Sequence, residues 1–383
     1  MTRKILYIRN FASKVDINTY NLQEIGFGKA LVKKGYDCDI VYYTDESKSH
    51  EQTIYTYRKN RLSIIWMPAL KFLSNGIYLK VLKKSFLDKY DYIITTEYNQ
   101  IMTYLLSILC KDKLILYHGP YKDNSKKLVQ KVYDTFFLKT IAKNIKYAFA
   151  KSKLAEEYLR NKGFKKVQTL GVGLDTSRFE SGELVDVSNE IKEKLDNIRD
   201  KKVLLYVGKL EERRNIKFLF NVFYKLRKLN EDVILLVVGD GKQDDVEAYF
   251  MYAKQLGIEH DINHIKKVSQ EHLKYIYEKA DVFLLPTKYD PFGMVLLESM
   301  YFGVPVVSSV NGGAVTIIDN EINGFIIETF DEDLWVNKIS LLLGNESLRA
   351  QFSNNGKKNI RENFIWDVIA EKLLEKIHQE RIK

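Results

Sequence analysis

Short apolar runs alternate with amphipathic stretches along the first 175 residues. The runs at 4–9, 38–43, 61–67, 90–97, 113–118 and 145–152 predict buried strands. Between them, 21–35 places Ile25, Gly28, Leu31 and Val32 at helical spacing and stops at Gly35, and 153–163 stops at Gly163. A polar stretch near 173–200 interrupts the pattern, which then restarts. Strands are predicted at 203–209, 233–241, 262–265, 281–287, 304–309 and 324–328, with helices at 215–229, 244–256, 270–279 and 293–302. A last helix, 366–382, has Ile369, Leu373, Leu374 and Ile377 as apolar positions. Strands alternating with helices mean βαβ units and mainly parallel sheets. The fold class is therefore α/β, with two Rossmann-like parallel-sheet domains facing a central cleft. Ligands of such sheets bind beyond the carboxyl ends of the strands.

A chain of 383 residues favours two domains over one. Cys38 and Cys110 lack metal-ligand spacing and read as reduced core residues. The first residues offer too short an apolar run for a signal-peptide core, and no run approaches the length of a membrane span. The expected location is the cytoplasm, with a peripheral position at the inner face of the cell membrane left open. The formal charge is +10 and uneven: residues 1–175 hold roughly 31 Lys and Arg against 16 Asp and Glu. This points to an anionic partner for the first half, or to a lysine-rich solvated surface. Residues 61–86 open on a predicted strand but also mix Trp66, Phe72, Tyr78 and Phe86 with Lys71, Lys80, Lys83 and Lys84. That is the pattern of an interfacial helix, or of an ordinary amphipathic core helix. No recognised nucleic-acid module accompanies it, so no nucleic-acid partner is expected.

The chemistry concentrates in "KYDPFGMVLLESMYFGVPVVSS", 288–309. Pro291 fits a first helical turn, and Asp290 before it fits an N-cap or a ligand contact. Glu298 lies among Val295, Leu296, Leu297 and Met300, either at the solvent edge or aimed into a site. The N–H groups of Phe292, Gly293, Met294 and Val295 would form an anion site at a helix start. In "YVGKLEERRN", a strand ends at Gly208, and Lys209, Arg213 and Arg214 crowd the turn before a helix. Cations there oppose the helix dipole unless an anion joins them, so they are surface charges or a phosphate clamp. The Asp37–Asp39 pair sits at the wrong end of its strand for a catalytic metal. "GDGK", 239–242, lacks P-loop spacing.

Together these segments resemble the GT-B glycosyltransferases of family 4, which use nucleotide sugars and retain anomeric configuration. "YVGKLEERRN" is similar to the family's Gly-Arg-Leu…Lys-Gly/Asn element. "ADVFLLPTKYDPFGMVLLESMYFGVPVVSSVNGG" resembles its E-x7-E segment, "LGVGLDTSRF" its linker, and "NFIWDVIAEKLL" the start of its terminal helix. The resemblance implies an acceptor domain at 1–175, a nucleotide-sugar domain at 176–360, and a helix at 361–383 returning toward the first domain. It implies that Gly208, Lys209 and Arg214 meet the donor diphosphate, with the 292–295 amides near the β-phosphate. Glu298 takes the ribose, Asp290 the donor-sugar hydroxyls, and His118 sits beside the transferred sugar. The donor is a nucleotide-diphosphate sugar, UDP-sugar favoured, and the acceptor a saccharide, lipid-linked by preference. No metal or other cofactor is required. A nucleotide-sugar 2-epimerase and a non-catalytic partner subunit are the alternatives. Four departures stand out: Asp290 for Glu, Lys209 for Arg, Asn18–Thr19 for paired glycines, and Thr316 for Glu.

Overall fold

The computed structural model describes residues 3–17, 22–72, 75–123, 127–179, 189–196, 198 and 200–382, so Asn18–Thr19 lies outside the described residues. Its contacts divide into two units. One comprises Met1–Asp175 and Phe364–Lys383, the other Thr176–Asn363.

The first unit contributes β1 (Lys4–Ile8), β2 (Asp37–Tyr43), β3 (His50–Tyr57), β4 (Asn60–Met67), β5 (Leu70–Phe72), β6 (Asn75–Ile77), β7 (Tyr92–Thr96), β8 (Leu114–His118), β9 (Tyr147–Ala150) and β10 (Val167–Thr169). The main sheet runs β10-β9-β8-β7-β1-β2-β4-β3 and is parallel except for the β3–β4 hairpin. Crossover helices cover both faces of a parallel sheet, so its central strands are apolar throughout. In β1, Ile5 to Ile8 are all buried. The terminal helix Trp366–Ile382 belongs to this unit. Trp366 stacks on Phe27 at 5.2 Å. A Cβ on Gly26 would stand 2.4 Å from the Trp366 ring, and one on Gly173 only 2.6 Å. Lys33–Asp367 (3.0 Å) and Lys34–Glu371 (2.6 Å) pair along its rim.

Residues 61–86 do not form an amphipathic helix, a correction to that reading, and the segment reaches only a single helical turn at Lys84–Leu87. The β-branched and aromatic run to Met67 pairs with β2, Ile64 opposite Ile40, and a β5–β6 hairpin follows. Tyr78, Val81 and Phe86 are buried. A strand buried on both faces, followed by a hairpin, sets apolar residues at spacings that a helix also fits.

The second unit contributes β11 (Lys202–Val207), β12 (Val233–Val238), β13 (Ile262–Ile265), β14 (Val282–Leu285), β15 (Val306–Ser309) and β16 (Gly324–Ile327). The order β13-β12-β11-β14-β15-β16 is parallel throughout. The chain winds outward from β11 to β13, then returns to place β14 on the other side of β11. The direction reverses between β11 and β14, the switch point beyond whose strand ends ligands of such sheets bind. Phe220, Phe223 and Trp335 anchor the core beneath. Burying each such side chain stabilises the unit by roughly 1.5–3 kcal/mol. At the strand ends, Gly208 N–H donates to Val238 O (2.9 Å) and Leu210 N–H to Asp240 O (2.9 Å). A Cβ on Gly239 would lie 1.9 Å from Gly208 O, so "GDG" is the backbone seam between β11 and β12.

Candidate functional site

The candidate site of the second unit is built from the loops after β11 and β14. The turn Glu212–Arg214 ends at Asn215, whose φ of 60° suits asparagine, and the helix Ile216–Leu229 follows. Arg213 stitches the two loops. Its carbonyl accepts from Lys288 N–H (2.8 Å) and Thr287 Oγ1 (3.0 Å), and its guanidinium donates to Tyr289 O (3.1 Å). Arg214 Nη1 then meets Asp290 Oδ2 in an ion pair with both side chains mostly buried. Residues 76 apart in sequence are joined because β11 and β14 are neighbours.

Asp290 is not the cap of the following helix. That helix is Met294–Phe302, preceded by Gly293 at φ 72°, so Pro291 stands ahead of its first turn. Asp290 Oδ1 instead accepts from Phe292 N–H (3.0 Å) and Gly293 N–H (2.7 Å). The expectation of four open amides is therefore corrected. Those of Phe292 and Gly293 are taken by Asp290, which leaves Met294 and Val295 at the helix start, where N–H groups have no intrahelical partner. Lys209 is exposed and has no ion pair among the described residues. Its carbonyl accepts from the Tyr206 hydroxyl (2.9 Å). The cluster of three cations thus resolves into Arg214 with Asp290, Arg213 with Glu211 (2.6 Å), and an open Lys209.

Glu298 is fully buried, against the solvent-edge reading. It accepts from the Tyr277 hydroxyl at 2.9 Å, and burial pushes its carboxyl well above the usual range. The turn "NGG" after β15 lies directly on the Asp290 loop. Gly312 N–H donates to Asp290 O (3.0 Å), and a Cβ on Gly313 would stand 1.5 Å from Phe292 O. Asn311 fixes this turn through Ser308 Oγ (2.9 Å), Ser309 O (2.9 Å) and Ala314 N–H (3.0 Å). Sequence reasoning assigned no role to Asn311 or Tyr277. The Gly pair directly after a strand was the available signal for the first. For Tyr277 there was none.

In the first unit, His118 ends β8 fully buried. Its Nδ1 lies 2.7 Å from Glu97 Oε2, and its ring packs on Tyr98 (5.3 Å) and Tyr158 (5.8 Å). Glu97, just past β7, adopts φ 59°. Burial alone would raise its carboxyl, but His118, Lys151 and the Gly119 amide outweigh that and hold it below the usual range. Asn10, at the end of β1, donates to Thr96 O (2.6 Å) and Thr95 Oγ1 (2.9 Å) where β1 and β7 part. Neither Glu97 nor Asn10 was singled out from sequence, although "TTE" ends the strand beside the one that ends in His118. The Asp37–Asp39 pair opens β2 at its amino end. Asp37 holds Asn60 and Arg61, and Asp39 accepts from Tyr90 (2.7 Å).

Residues 187–359 match the family model described as "Glycosyl transferases group 1". An uncharacterized glycosyltransferase of Methanocaldococcus jannaschii is 34% identical over 45% of this chain and 43% of its own length. The capsular polysaccharide biosynthesis glycosyltransferase CapM of Staphylococcus aureus is 29% identical over 61% of this chain and 59% of its own. The chain thus spans about half the length of these curated relatives. Anabaena HepE, solved with UDP and glucose, superposes with a TM-score of 0.72 at 15% identity, over 98% of this chain and 100% of that one. Sucrose-phosphate synthase of Thermosynechococcus elongatus gives 0.72 at 19% identity, over 99% of both. The fold is GT-B, and residues 187–359 are similar to the glycosyltransferases of group 1.

Proposed function

We propose that this protein moves a hexose or N-acetylhexosamine from a nucleotide-diphosphate sugar, UDP-sugar favoured, to a saccharide acceptor with retained configuration. The observation that carries the reading is the Lys209, Arg214–Asp290 and Glu298 constellation at the β11/β14 reversal. Lys209, beside Gly208, and Arg214 meet the diphosphate, joined by the Met294 and Val295 amides. Asp290 meets the donor-sugar hydroxyls while it orients Arg214 and pins Phe292 and Gly293. Glu298 meets the ribose hydroxyls. Charge growing on the departing diphosphate falls on donors already in place, which is where such sites gain most rate. The acceptor hydroxyl attacks from the face that the diphosphate leaves, with His118 beside the transferred sugar. Two cations serve the leaving group, and no resident metal enters the scheme. HepE supports the UDP-sugar choice, because its structure holds UDP and glucose. CapM supports a setting in surface-polysaccharide synthesis. The acceptor is then lipid-linked and the enzyme cytoplasmic, at the inner membrane face, with no nucleic-acid partner.

A thermal-shift screen across UDP-, GDP- and ADP-sugars tests the reading. The UDP-sugars should raise the melting temperature most. A flat response to every nucleotide sugar would overturn it.

A further inference from the structure

The helical stretch from Lys127 to Asn144 in the first unit runs as Lys127–Tyr133, a wider π-type turn at Asp134–Leu138, and Lys139–Asn144. It carries apolar side chains on two faces. One packs inward: Ile141 is fully buried, and Phe137 lies 4.6 Å from Tyr104 and 5.0 Å from Tyr133. The other faces out, with Leu128 76% exposed, Phe136 70%, Val132 49% and Val129 48%. Clusters of exposed apolar side chains on one helix are uncommon on proteins that meet only water.

Charge decides what covers this face. Lys127 to Lys146 include five lysines and one acid, Asp134. The wide turn directs Asp134 inward, where it accepts from Lys162 (2.7 Å), Gln130 (2.8 Å) and Tyr98 (3.2 Å). Lys127, Lys131, Lys139 and Lys143 are exposed and have no ion pair among the described residues. Beside them opens a pocket of about 880 Å³, floored by Leu138, Ala142 and Ile145 and edged by further lysines, Lys162 and Lys165 among them.

We infer that this face docks on an anionic lipid bilayer, with Leu128, Val132 and Phe136 entering the headgroup boundary and the lysines meeting lipid phosphates. A helix with an apolar outer face flanked by lysines lies in the plane of such a surface. A second copy of the chain fits poorly, because a two-fold contact sets each lysine row against itself. The inference deepens the reading of a lipid-linked acceptor by naming the docking surface. It replaces residues 61–86 in that role. Vesicle binding is read without donor or acceptor, so it fails or stands independently of sugar transfer.

The test is flotation of the full chain with vesicles of phosphatidylcholine alone or mixed with phosphatidylglycerol. The wild type should float with the mixed vesicles only. It should be released as salt rises from about 0.1 to about 1 M, which shortens the screening length from about 10 to about 3 Å. Leu128→Ser with Phe136→Ser, and separately Lys131→Glu with Lys139→Glu, should each weaken binding by about tenfold or more while circular dichroism stays unchanged. Equal binding to both vesicle types, no binding to either, or unchanged binding by both folded variants would overturn the inference. So would a wild-type dimer that the serine variant converts to monomer, since the face would then be a subunit interface.

Discussion

The two units each bury a glutamate near the carboxyl ends of their strands, and the two carboxyls shift in opposite directions. Glu97 lies beside His118, Lys151 and the Gly119 amide and is held below the ordinary range. Glu298 has a phenol hydroxyl from Tyr277 and is pushed well above it. Burial raises both, and the nearby positive and N–H groups decide the sign. The surroundings differ in construction as well. In the second unit, backbone lies on backbone: Gly313 on Phe292, Gly239 on Gly208. In the first, side chains hold side chains. The second site should therefore break through its turns and the first through its partners.

Matched glycine substitutions give the largest contrast. Gly313→Ala sets a Cβ 1.5 Å from a backbone carbonyl, which nothing nearby relieves. It should cost about 4 kcal/mol or more, at the far end of single-site effects. Gly119→Ala in the first unit meets Lys151 Cδ at 3.1 Å, the flexible part of a side chain, and Glu97 Oε1 at 3.6 Å, an ordinary contact, and should stay within about 1 kcal/mol. Denaturant midpoints measure both, and equal costs would remove the distinction.

Arg214→Met comes next. It strands the Asp290 charge in a site where both partners are mostly buried, which costs roughly 3 kcal/mol. A loss under about 0.5 kcal/mol would mark the pair as a solvated contact. Asp290→Asn is milder. The amide oxygen still serves Phe292 and Gly293, but the charge facing Arg214 is gone, so stability should fall by about 1–2 kcal/mol. Transfer should fall with it, about tenfold for each 1.4 kcal/mol of lost transition-state contact. A mutant as stable as the wild type would return Asp290 to a purely local turn role.

The smallest effects, in pH dependence, sharpen the comparison most. The Glu97 pKa is lower in the folded state, so its contribution is present above the unfolded value of about 4.3 and lost as pH falls through the folded one. The Glu298 pKa is higher, so its contribution is present below about 4.3 and lost as pH rises through the folded value. Glu97→Gln should therefore lose stability against wild type at neutral pH and converge with it in acid. Glu298→Gln should gain on wild type as pH rises. Chemical unfolding across pH reads both slopes, and slopes of the same sign would contradict the opposed shifts.

Much of the second unit was legible because its signals are local. Apolar runs, Gly stops and the turn residues around Lys209 and Asp290 sit within a few positions of one another. The pairings were not legible. Arg214 finds Asp290 only because β14 returns beside β11, and Glu97 finds His118 only because β7 and β8 are neighbours. Cap chemistry at Asp290 was misread by position, since Asp-Pro ahead of an apolar run fits a first turn and also the tight loop that precedes one. Residues 61–86 failed for a different reason. Their aromatics and lysines are spread over a strand, a hairpin and the turns that follow, and the spacing also fits a helix over short windows.

Lys209 offers the most direct test of the proposed donor site. It is exposed and has no ion pair among the described residues, so Lys209→Ala should leave the unfolding midpoint unchanged. A loss of binding would then report the ligand contact alone. Calorimetric titration with UDP should show the mutant binding about tenfold more weakly than wild type, the loss of one charge-assisted contact of about 1.5 kcal/mol. Equal affinity in mutant and wild type would contradict the placement of the diphosphate at the β11/β14 reversal.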